Sequence, residues 1–350
     1  MGKLKAIDFF CGAGGMTNGF SKAGIDVIAG LDFDKDCQMT YEYNNQNSKF
    51  ILADIKNLSF EEFEKQTRIT KNDENMIFIG CSPCQYWSKI KTDKRKSEES
   101  KNLLKDFQKF VEYYKPGYIV IENVPGIYMQ KNESPLVKFL KFLDENKYTY
   151  KDSYGIINAS HFGVPQTRKR FLLMASRVTN KLKLPEKNFE IPCVKDFIHP
   201  VLGFPRLVAG DKDENGNIHT VAGLSAINMK RLELTKPDGG SRISYVNDKT
   251  LAIPSQYKRL NSFSDSYGRM SWSKPAPTIT TKFFSISNGR FAHPDQNRAI
   301  SLREGATLQT FDLSYNFFGN SISGIAKQIV NAVPPIFAKH IANVINNCNS

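Results

Sequence analysis

Three segments of the sequence hold side chains that together suit nucleophilic chemistry on a polar ring. Cys84 lies in a Gly-Cys-Ser-Pro-Cys-Gln segment that directly follows a short apolar run. Glu122 ends a second apolar run, and Arg168 and Arg170 lie in a Gln-Thr-Arg-Lys-Arg cluster further along the chain. A thiolate attacks ring carbons, while a carboxyl group and a guanidinium bond the ring and stabilise the charge that develops on it. The residue types therefore indicate covalent catalysis with Cys84 as the nucleophile.

The strands predicted around these residues indicate where in the fold the residues lie. The apolar runs 76–79 and 118–121 have the length of buried parallel strands, and residues just past the carboxyl ends of such strands face the crevice where open α/β sheets bind ligands. We therefore expect Cys84 and Glu122 at one edge of a doubly wound, mostly parallel α/β sheet. Further strands are predicted at 5–10, 27–31, 50–55, 154–158 and 171–175, and helices at 103–114 and 135–146.

A glycine-rich turn, Cys-Gly-Ala-Gly-Gly at residues 11–15, links the first predicted strand to a short helical segment. Such turns let the backbone approach a nucleotide-like ligand, although they also occur in many other sheets. The spacing differs from the phosphate-binding Gly-x-Gly-x-x-Gly, which favours a ligand without a pyrophosphate. Asp32 and Asp54 end the next two strands, where a carboxylate can accept hydrogen bonds from ribose hydroxyls; the alternative is a helix N-cap, for which Asp34 is the better candidate. Together these features predict an adenosine-like ligand.

Charge indicates a polyanionic partner. The chain carries 48 Lys and Arg against 35 Asp and Glu, a formal net charge of +13. This balance suits binding to phosphates, because each neutralised phosphate releases counterions; a basic protein without such a partner is the alternative. The lysine-rich segment 88–101 is expected to be a loop that closes over the site, or else a solvated loop. Basic candidates for backbone and groove contacts in the loop-rich stretch 178–265 are Lys230, Arg231, Lys236, Arg242, Lys258 and Arg259.

Length and cysteine content narrow the class of protein. At 350 residues the chain has room for one large α/β domain and a smaller one. We expect no signal peptide, and no apolar run reaches the roughly 18 residues of a membrane span. Six cysteines in this length do not form a disulfide scaffold, which indicates a reducing compartment. Cys81 and Cys84 form a Cys-x-x-Cys pair, but the sequence context of a redox motif or of a zinc site is missing, so we expect no metal.

The motifs occur in the order glycine turn, strand-end acid, Pro-Cys-Gln, Glu-Asn-Val, Gln-x-Arg-x-Arg and a terminal Gly-Asn-Ser. In this order they resemble the motifs of the DNA cytosine-5 methyltransferases of the bacterial restriction-modification type. The resemblance implies the fold of the S-adenosylmethionine-dependent methyltransferases, with a smaller loop-rich domain across a DNA-binding cleft. Residues 1–177, completed by 319–350, are expected to form the catalytic and cofactor-binding domain. Residues 178–318 are expected to form the target-recognition domain and its supporting segment.

The resemblance also implies which residues hold the cofactor, S-adenosylmethionine. The implied positions are Phe10, Gly12, Gly14, Gly15, Asp32, Phe33, Asp54, Ile55, Pro83, Asn320 and Ser321. Asp32 would bind the ribose, Asp54 and Ile55 the adenine, and the last two residues would approach the methionine part. The sequence departs from the family at Asp32, where Glu is more frequent, and at Phe33, where Trp is more frequent.

In the reaction that the resemblance implies, Cys84 adds to C6 of a cytosine that has been flipped out of the duplex. C5 then takes the methyl group, and S-adenosylhomocysteine is the second product. Glu122 would bond N3 and the exocyclic amine of the ring, and Arg170 would bond O2. Arg168 would support Arg170 and favour the thiolate. The sequence does not identify the base that removes the C5 proton, and water is one candidate.

Double-stranded DNA is the implied partner, with a cognate restriction endonuclease acting separately. We expect a monomer in the cytoplasm, associated with the nucleoid. Two alternatives are a tRNA cytosine-5 methyltransferase and a DNA-binding relative without turnover. The tRNA branch usually carries Cys-Phe-Thr soon after Glu-Asn-Val, whereas Pro-Gly-Ile-Tyr follows here. The presence of Cys84, Glu122 and Arg170 argues against a relative without turnover.

Overall fold

The computed structural model describes residues 2–83, 102–129, 134–213, 218–251 and 265–349. Cys84, the segment 88–101, Lys258 and Arg259 lie outside the described residues, so the predictions for them stay predictions. Within the described ranges, no helix is long and apolar enough to cross a membrane.

The described strands build one large sheet and one small ladder. They are β1 (Lys5–Phe9), β2 (Asp26–Asp32), β3 (Lys49–Leu52), β4 (Met76–Gly80), β5 (Tyr118–Asn123), β6 (Tyr154–Asn158), β7 (Gln166–Thr167), β8 (Lys169–Ser176) and β9 (Ala276–Pro277). Seven strands form the sheet in the order β3-β2-β1-β4-β5-β8-β6, and β7 pairs with β9. β1 to β5 run parallel, whereas β8 runs antiparallel to both neighbours. Each predicted strand is present; the largest difference is at β3, which ends earlier than predicted.

Helices cover both faces of the sheet, which confirms the predicted fold class. The described helices are α1 (Gly15–Lys22), α2 (Gln38–Asn44), α3 (Phe60–Thr67), α4 (Leu103–Tyr114), α5 (Gly126–Met129), α6 (Leu136–Glu145), α7 (Lys195–Ile198), α8 (Ala226–Leu234), α9 (Leu302–Leu308), α10 (Ile322–Asn331) and α11 (Pro335–Asn349). Both predicted helices, α4 and α6, are present. Sequence periodicity missed α8, because its Ile227 and Leu234 are exposed while Arg231 is buried, which reverses the usual amphipathic pattern.

One face of the sheet packs on a cluster of aromatic rings. The ring of Phe9 lies 5.5 Å from that of Phe63, 5.1 Å from that of Phe78 and 5.2 Å from that of Phe107, measured between centroids. These rings come from β1, α3, β4 and α4, so the cluster joins sheet and helices. Successive strand residues point to opposite faces, so Asp8 points away from this cluster.

The opposite face holds α1, which packs closely on α11. Gly19 of α1 makes this approach possible, because an added Cβ there would lie 2.4 Å from Ala338 Cβ and 2.4 Å from the carbonyl oxygen of Pro335. The side chain of Asn346 donates to the carbonyl of Ala23 at 2.8 Å, which fixes the far end of the pair. The C-terminal helix α11 therefore packs on α1, near the start of the chain.

The chain divides into two compact units. The first comprises Met1–Phe162, Lys169–Lys187 and Ala332–Ser350, and the second comprises Gly163–Arg168 and Asn188–Asn331. The first unit contains the seven-stranded sheet. The functional domains expected at 1–177 with 319–350, and at 178–318, stay predictions.

Buried arginines organise the second unit. Arg269 is 2% exposed, and its guanidinium donates to the carbonyls of Thr235 at 3.0 Å and Leu232 at 2.8 Å. Arg298 makes two hydrogen bonds of 2.7 Å to Glu304, and neither side chain is exposed. Since loops expose many carbonyl groups, an arginine with five N–H donors can satisfy several of them at once. The loop-rich unit thus has a polar core.

Two of the predicted DNA-contact candidates are part of this interior. Arg231 and Arg242 are each 5% exposed. Arg231 donates to the carbonyl of Leu251 at 3.2 Å and lies over the ring of Tyr267. The prediction that these two arginines lie at basic tips of the surface was wrong, because sequence composition does not distinguish a buried arginine from an exposed one.

The close approach of α1 and α11 gives a test of the fold. We expect Gly19→Ala to lower the free energy of unfolding by about 1–3 kcal/mol, because the new methyl group meets backbone that cannot move aside cheaply. Urea unfolding measures the change. The control is Gly155→Ala in β6, where an added Cβ would make an ordinary contact of 3.6 Å with Leu184. Equal unfolding midpoints for the two variants would contradict the packing described.

Candidate active site

Backbone hydrogen bonds hold the loops at the carboxyl edge of the parallel strands. The N–H of Cys11 donates to the carbonyl of Leu31 at 3.0 Å, and the N–H of Ala53 donates to the carbonyl of Asp32 at 3.0 Å. The N–H of Cys81 donates to the carbonyl of Phe9 at 3.4 Å. The loops after β1, β3 and β4 therefore start from fixed positions beside neighbouring strands, and their side chains share one edge.

The glycine turn leaves an open space beside its backbone. Phe10, Gly12 and Gly14 have positive φ angles of 63°, 50° and 85°. For the bulky Phe10 this conformation is strained, and such strain is typical of functional turns. An added Cβ at Gly12 would meet no atom within 4 Å. The turn then enters α1 at Gly15, so the predicted order of strand, glycine turn and helical segment is present.

Asp32 fastens this turn to the end of β2. Its Oδ2 accepts the N–H of Gly12 at 2.8 Å, and its Oδ1 accepts the N–H of Asp34 at 2.9 Å. Burial raises the pKa of Asp32, and the two N–H donors oppose that rise. Asp34 accepts the N–H of Asp36 and caps the short 3₁₀ helix that follows, as the sequence suggested. Asp34, and not Asp32, therefore caps this helix.

The edge carries the groups that a nucleoside needs. Phe33 is an exposed aromatic ring, with 64% of its surface accessible, directly after Asp32. Asp54 is exposed and accepts the N–H of Lys56 at 3.0 Å, while Ile55 is buried. An exposed ring can stack on a base, and a carboxylate can accept hydrogen bonds from sugar hydroxyls. These residues and the space beside Gly12 fit an adenosine-containing cofactor.

Glu122 and Arg170 form an ion pair at the same edge of the sheet. Arg170 Nε lies 3.1 Å from Glu122 Oε1, without the geometry of a directed hydrogen bond. Both side chains are largely buried, with 14% of Arg170 and 9% of Glu122 exposed. β8 runs antiparallel to β5, so its first residues lie beside the last residues of β5. Strand direction thus brings together two residues that lie far apart in the sequence.

Asn123 ties the end of β5 to the segment that leads to Cys84, and the sequence analysis missed it. Its side-chain amide donates to the carbonyl of Ser82 at 3.0 Å and to Ser82 Oγ at 3.2 Å. Its Oδ1 accepts the N–H of Val124 at 2.9 Å. Asn123 is 2% exposed, so these bonds are shielded from water. The signal in the sequence was an amide residue at the end of an apolar strand, where a buried polar group needs partners.

The surroundings of Cys81 raise the pKa of its thiol. Its side chain is partly buried, and desolvation, with the nearby carboxyl groups of Glu122 and Asp8, raises its pKa well above the usual value. A thiol with a raised pKa is a poor nucleophile at neutral pH. Among the described residues, no group of three or more His, Cys, Asp or Glu side chains could hold a metal ion.

Three further predicted site residues, Arg168, Asn320 and Ser321, lie in the second unit. Arg168 is 3% exposed and donates to the carbonyl of Val330 at 3.4 Å, whereas Arg170, two residues later, belongs to the first unit. Asn320 and Ser321 are exposed, and Ser321 Oγ accepts the N–H of Gly324 at 3.0 Å at the start of α10. The roles predicted for these three residues stay predictions.

The state of Cys81 can be tested by alkylation. We expect iodoacetamide at about pH 8 to modify Cys81 at least tenfold more slowly in the native protein than in the urea-unfolded chain, because little thiolate is present. Peptide mass spectrometry resolves Cys81 from Cys84. Equal modification rates in the two states would show that the thiol is not suppressed.

Comparisons with known proteins agree with this geometry. A family model described as C-5 cytosine-specific DNA methylase matches residues 4–347. Type II methylase M.HgiDII of Herpetosiphon aurantiacus is 33% identical over 343 residues, which cover 97% of this chain and 94% of that relative. Type II methyltransferase M1.HphI of Haemophilus parahaemolyticus is 28% identical over 350 residues, which cover 99% of this chain and 88% of that relative.

Solved structures share the fold. A prophage-encoded protein of E. coli superposes with a TM-score of 0.75 at 22% identity, covering 99% of both chains. The S. pombe Dnmt2 methyltransferase superposes with a TM-score of 0.62 at 15% identity, covering 100% of both chains. The family match spans nearly the whole sequence, and the family's chemistry is methyl transfer from S-adenosylmethionine. The chain therefore belongs to the C-5 cytosine-specific DNA methylases and is a DNA cytosine-5 methyltransferase similar to those of Type II restriction-modification systems.

Proposed function

We propose that this enzyme methylates C5 of a cytosine flipped out of one specific duplex sequence, through a transient bond between Cys84 Sγ and cytosine C6. The observation that carries the proposal is the Glu122–Arg170 pair at the carboxyl edge. Asn123, next to that pair, bonds Ser82, and Ser82 and Pro83 lead directly to Cys84 in the sequence. The proposal thus takes an acid and a cation from the adjacent strands β5 and β8, and a nucleophile from the sequence that follows β4.

The reaction needs these three groups because cytosine C5 is a weak nucleophile. When Cys84 Sγ bonds to C6, an electron pair of the ring moves towards C5 and N3. Glu122 hydrogen-bonds N3 and the exocyclic amine, Arg170 hydrogen-bonds O2, and both stabilise the added charge. C5 then bonds the methyl carbon as that carbon leaves its sulfur. A base removes the C5 proton, the C5–C6 double bond re-forms, and the Sγ–C6 bond breaks.

The cofactor site is proposed at the glycine turn. S-adenosylmethionine, when bound, supplies a methyl group on a positively charged sulfur. The backbone of Gly12, Gly14 and Gly15 would line its path, the Asp32 carboxylate would accept the ribose hydroxyls, and Phe33 would stack on the adenine. Phe10, Asp54, Ile55, Pro83, Asn320 and Ser321 complete the proposed set, and S-adenosylhomocysteine is the product. The exposed Phe33 ring and the open space beside Gly12 support this assignment.

The positive charge of the chain suits an enzyme that flips a base out of duplex DNA. A base in a stacked duplex does not expose C6, and unstacking it costs a few kcal/mol. The formal charge of +13 supports the phosphate contacts that would offset this cost. We propose that the second unit and the segment 88–101 supply contacts to the duplex. We further propose that the enzyme acts as a monomer at the nucleoid, and that it protects DNA from a separate cognate endonuclease.

Labelled S-adenosylmethionine offered with duplex DNA or with tRNA tests the proposed substrate. We expect label in DNA alone, and bisulfite sequencing of that DNA gives the methylated sequence. Duplexes that carry 5-fluorocytosine at this position should form a permanent adduct, because the fluorine cannot leave as a proton does. Labelled tRNA without labelled DNA would overturn the assignment.

The nucleophile is tested by Cys84→Ser. We expect loss of methyl transfer by at least a thousandfold and loss of the 5-fluorocytosine adduct on denaturing gels, because a serine hydroxyl is hardly ionised at neutral pH. Cofactor affinity, measured by calorimetry, should change less than about threefold. Cys348→Ser is the matched control. Full activity of Cys84→Ser would show that another group attacks C6.

Asn123→Ala tests whether the bond to Ser82 positions the nucleophile. We expect kcat to fall about 10- to 100-fold, with KM for the cofactor within about threefold, because misplacing a reacting group raises the barrier of the chemical step. Asn146→Ala, which removes one side-chain bond to the carbonyl of Phe142, is the matched control and should keep kcat. A fall in kcat of similar size in both variants would indicate a general loss of stability instead.

A further inference from the structure

Asp8 is a buried acid that the proposed reaction does not use. It lies in β1, two residues before Phe10, and is 0% exposed. Its Oδ2 accepts the N–H of Thr17 at 3.1 Å and the hydroxyl of Thr17 at 2.7 Å. Its Oδ1 has no hydrogen-bond partner in the described part of the chain. A buried carboxyl group with one unsatisfied oxygen is costly, so a role is expected for it.

The two bonds to Thr17 explain how the glycine turn is fixed. α1 starts after Gly14, which has no side chain to cap the helix. Thr17 is the third residue of α1, and its N–H is one that an N-cap side chain would normally accept. Asp8 accepts it from the neighbouring strand, where its negative charge also suits the positive end of the helix dipole. Asp8 thus anchors the first turn of α1 and the glycine turn before it.

A chain of hydroxyl groups supports the charged form of Asp8. Thr17 Oγ1 donates to Asp8 and lies 3.1 Å from Tyr41 Oη, which lies 2.6 Å from Ser48 Oγ. Because the Thr17 hydroxyl donates to the carboxylate, Tyr41 can donate to Thr17, and Ser48 can donate to Tyr41. Each donor then points towards Asp8, and such aligned chains strengthen one another.

Among the residues that the structure describes, no positive side chain balances this charge. The titratable groups that face Asp8 are Asp32 from β2, Cys11 from the turn, Tyr41 from α2 and Cys81 after β4. All four are acids, and Thr17 on α1 does not titrate. Burial raises the pKa of Asp8 to about 7, the hydrogen bonds from Thr17 oppose the rise, and the charge of Asp32 adds to it. The described interior beneath the turn therefore holds two carboxyl groups, those of Asp8 and Asp32, without a cation.

We propose that Asp8 is a positioning residue of the cofactor turn and that its negative charge makes the site prefer the cationic methyl donor to the neutral product. This inference rests on the proposed cofactor site at Gly12 and Asp32. S-adenosylmethionine has a positively charged sulfur and S-adenosylhomocysteine a neutral one. The donor supplies the cation that the acids beneath the turn lack, and methyl transfer removes it. The charge of Asp8 would thus favour exchange of product for fresh donor.

The sign of the pH dependence follows from linkage. A cationic ligand favours the ionised form of Asp8, so its binding lowers the pKa of Asp8 and releases a proton. Donor affinity should rise with pH up to about 7, where free Asp8 becomes ionised. A ligand with a neutral sulfur should show little of this rise. The α-amino groups of both ligands stay protonated below about pH 7, so they do not contribute to the difference.

Calorimetry on the full-length protein tests the proposal without an activity measurement. Each ligand is titrated at about pH 6.5 in two buffers of different ionisation enthalpy, which gives the number of protons released. We expect more protons released by the donor than by the product, and a donor-to-product affinity ratio that rises about threefold or more between pH 5.5 and 7. Equal proton release for both ligands would overturn the proposal. Failure of both ligands to bind would instead overturn the proposed cofactor site.

Two variants assign the effect to Asp8. Asp8→Asn should abolish the difference in proton release, whereas Asp26→Asn, at the opposite end of β2 from Asp32, should keep it. If Asp8→Asn does not fold, Thr17→Val decides, because losing the hydroxyl removes a bond that lowers the pKa of Asp8. The rise in the affinity ratio should then move to higher pH. A proton difference that persists in Asp8→Asn, or a pH profile that Thr17→Val leaves unchanged, would overturn the assignment.

Discussion

Backbone hydrogen bonds between loop and strand at the carboxyl edge of the sheet are the constraint on which the site depends. The N–H groups of Cys11, Ala53 and Cys81 each donate to a carbonyl near the end of a neighbouring strand. Because these bonds use main-chain groups, they hold the loops whatever side chains the loops carry. The carboxylate of Asp32 adds a side-chain bond to the N–H of Gly12, so the turn after β1 has a second support.

Strand direction supplies the second constraint. The five neighbouring strands β1 to β5 are parallel, and their carboxyl ends alone would provide Glu122 but no arginine. β8 enters the sheet in the opposite direction, so its start lies at the edge where the others end. Arg170 reaches Glu122 for that reason. A fully parallel sheet would place the same arginine at the far edge, about 20 Å away for strands of this length.

Much of the fold and part of the site could be predicted from the sequence. Buried parallel strands are continuous apolar runs, and their ends are marked by glycine or a single polar residue, so the sheet was predictable. Glu122 and Arg170 were predictable from residue chemistry and family motifs. Asn123 was missed because its importance comes from a contact with Ser82, 41 residues earlier, which no local pattern reveals. Arg231 was misjudged because burial depends on the surrounding loops.

Part of the chain's positive charge is buried in the second unit. Several of its arginines, among them Arg269 and Arg298, have their guanidinium groups turned inwards onto carbonyl oxygens or a carboxylate. These guanidinium groups form their hydrogen bonds and ion pairs inside the protein. Buried guanidinium groups cannot contact phosphates directly, so exposed lysines such as Lys230 and Lys236 are better placed to do so.

The division of the chain into two units passes through the Gln-Thr-Arg-Lys-Arg cluster. Residues 163–168 belong to the second unit, although more than a dozen residues of the first unit separate them from the rest of it. The side-chain amide of Gln166 donates hydrogen bonds to the carbonyl of Leu308 and to Gln309 Oε1, which connects this short segment to the rest of the second unit. In a hybrid enzyme in which only the continuous block after residue 188 is exchanged, residues 163–168 would remain from the original protein. They would then contact side chains of a different protein. Exchange of the whole second unit would therefore require two grafts that fit each other.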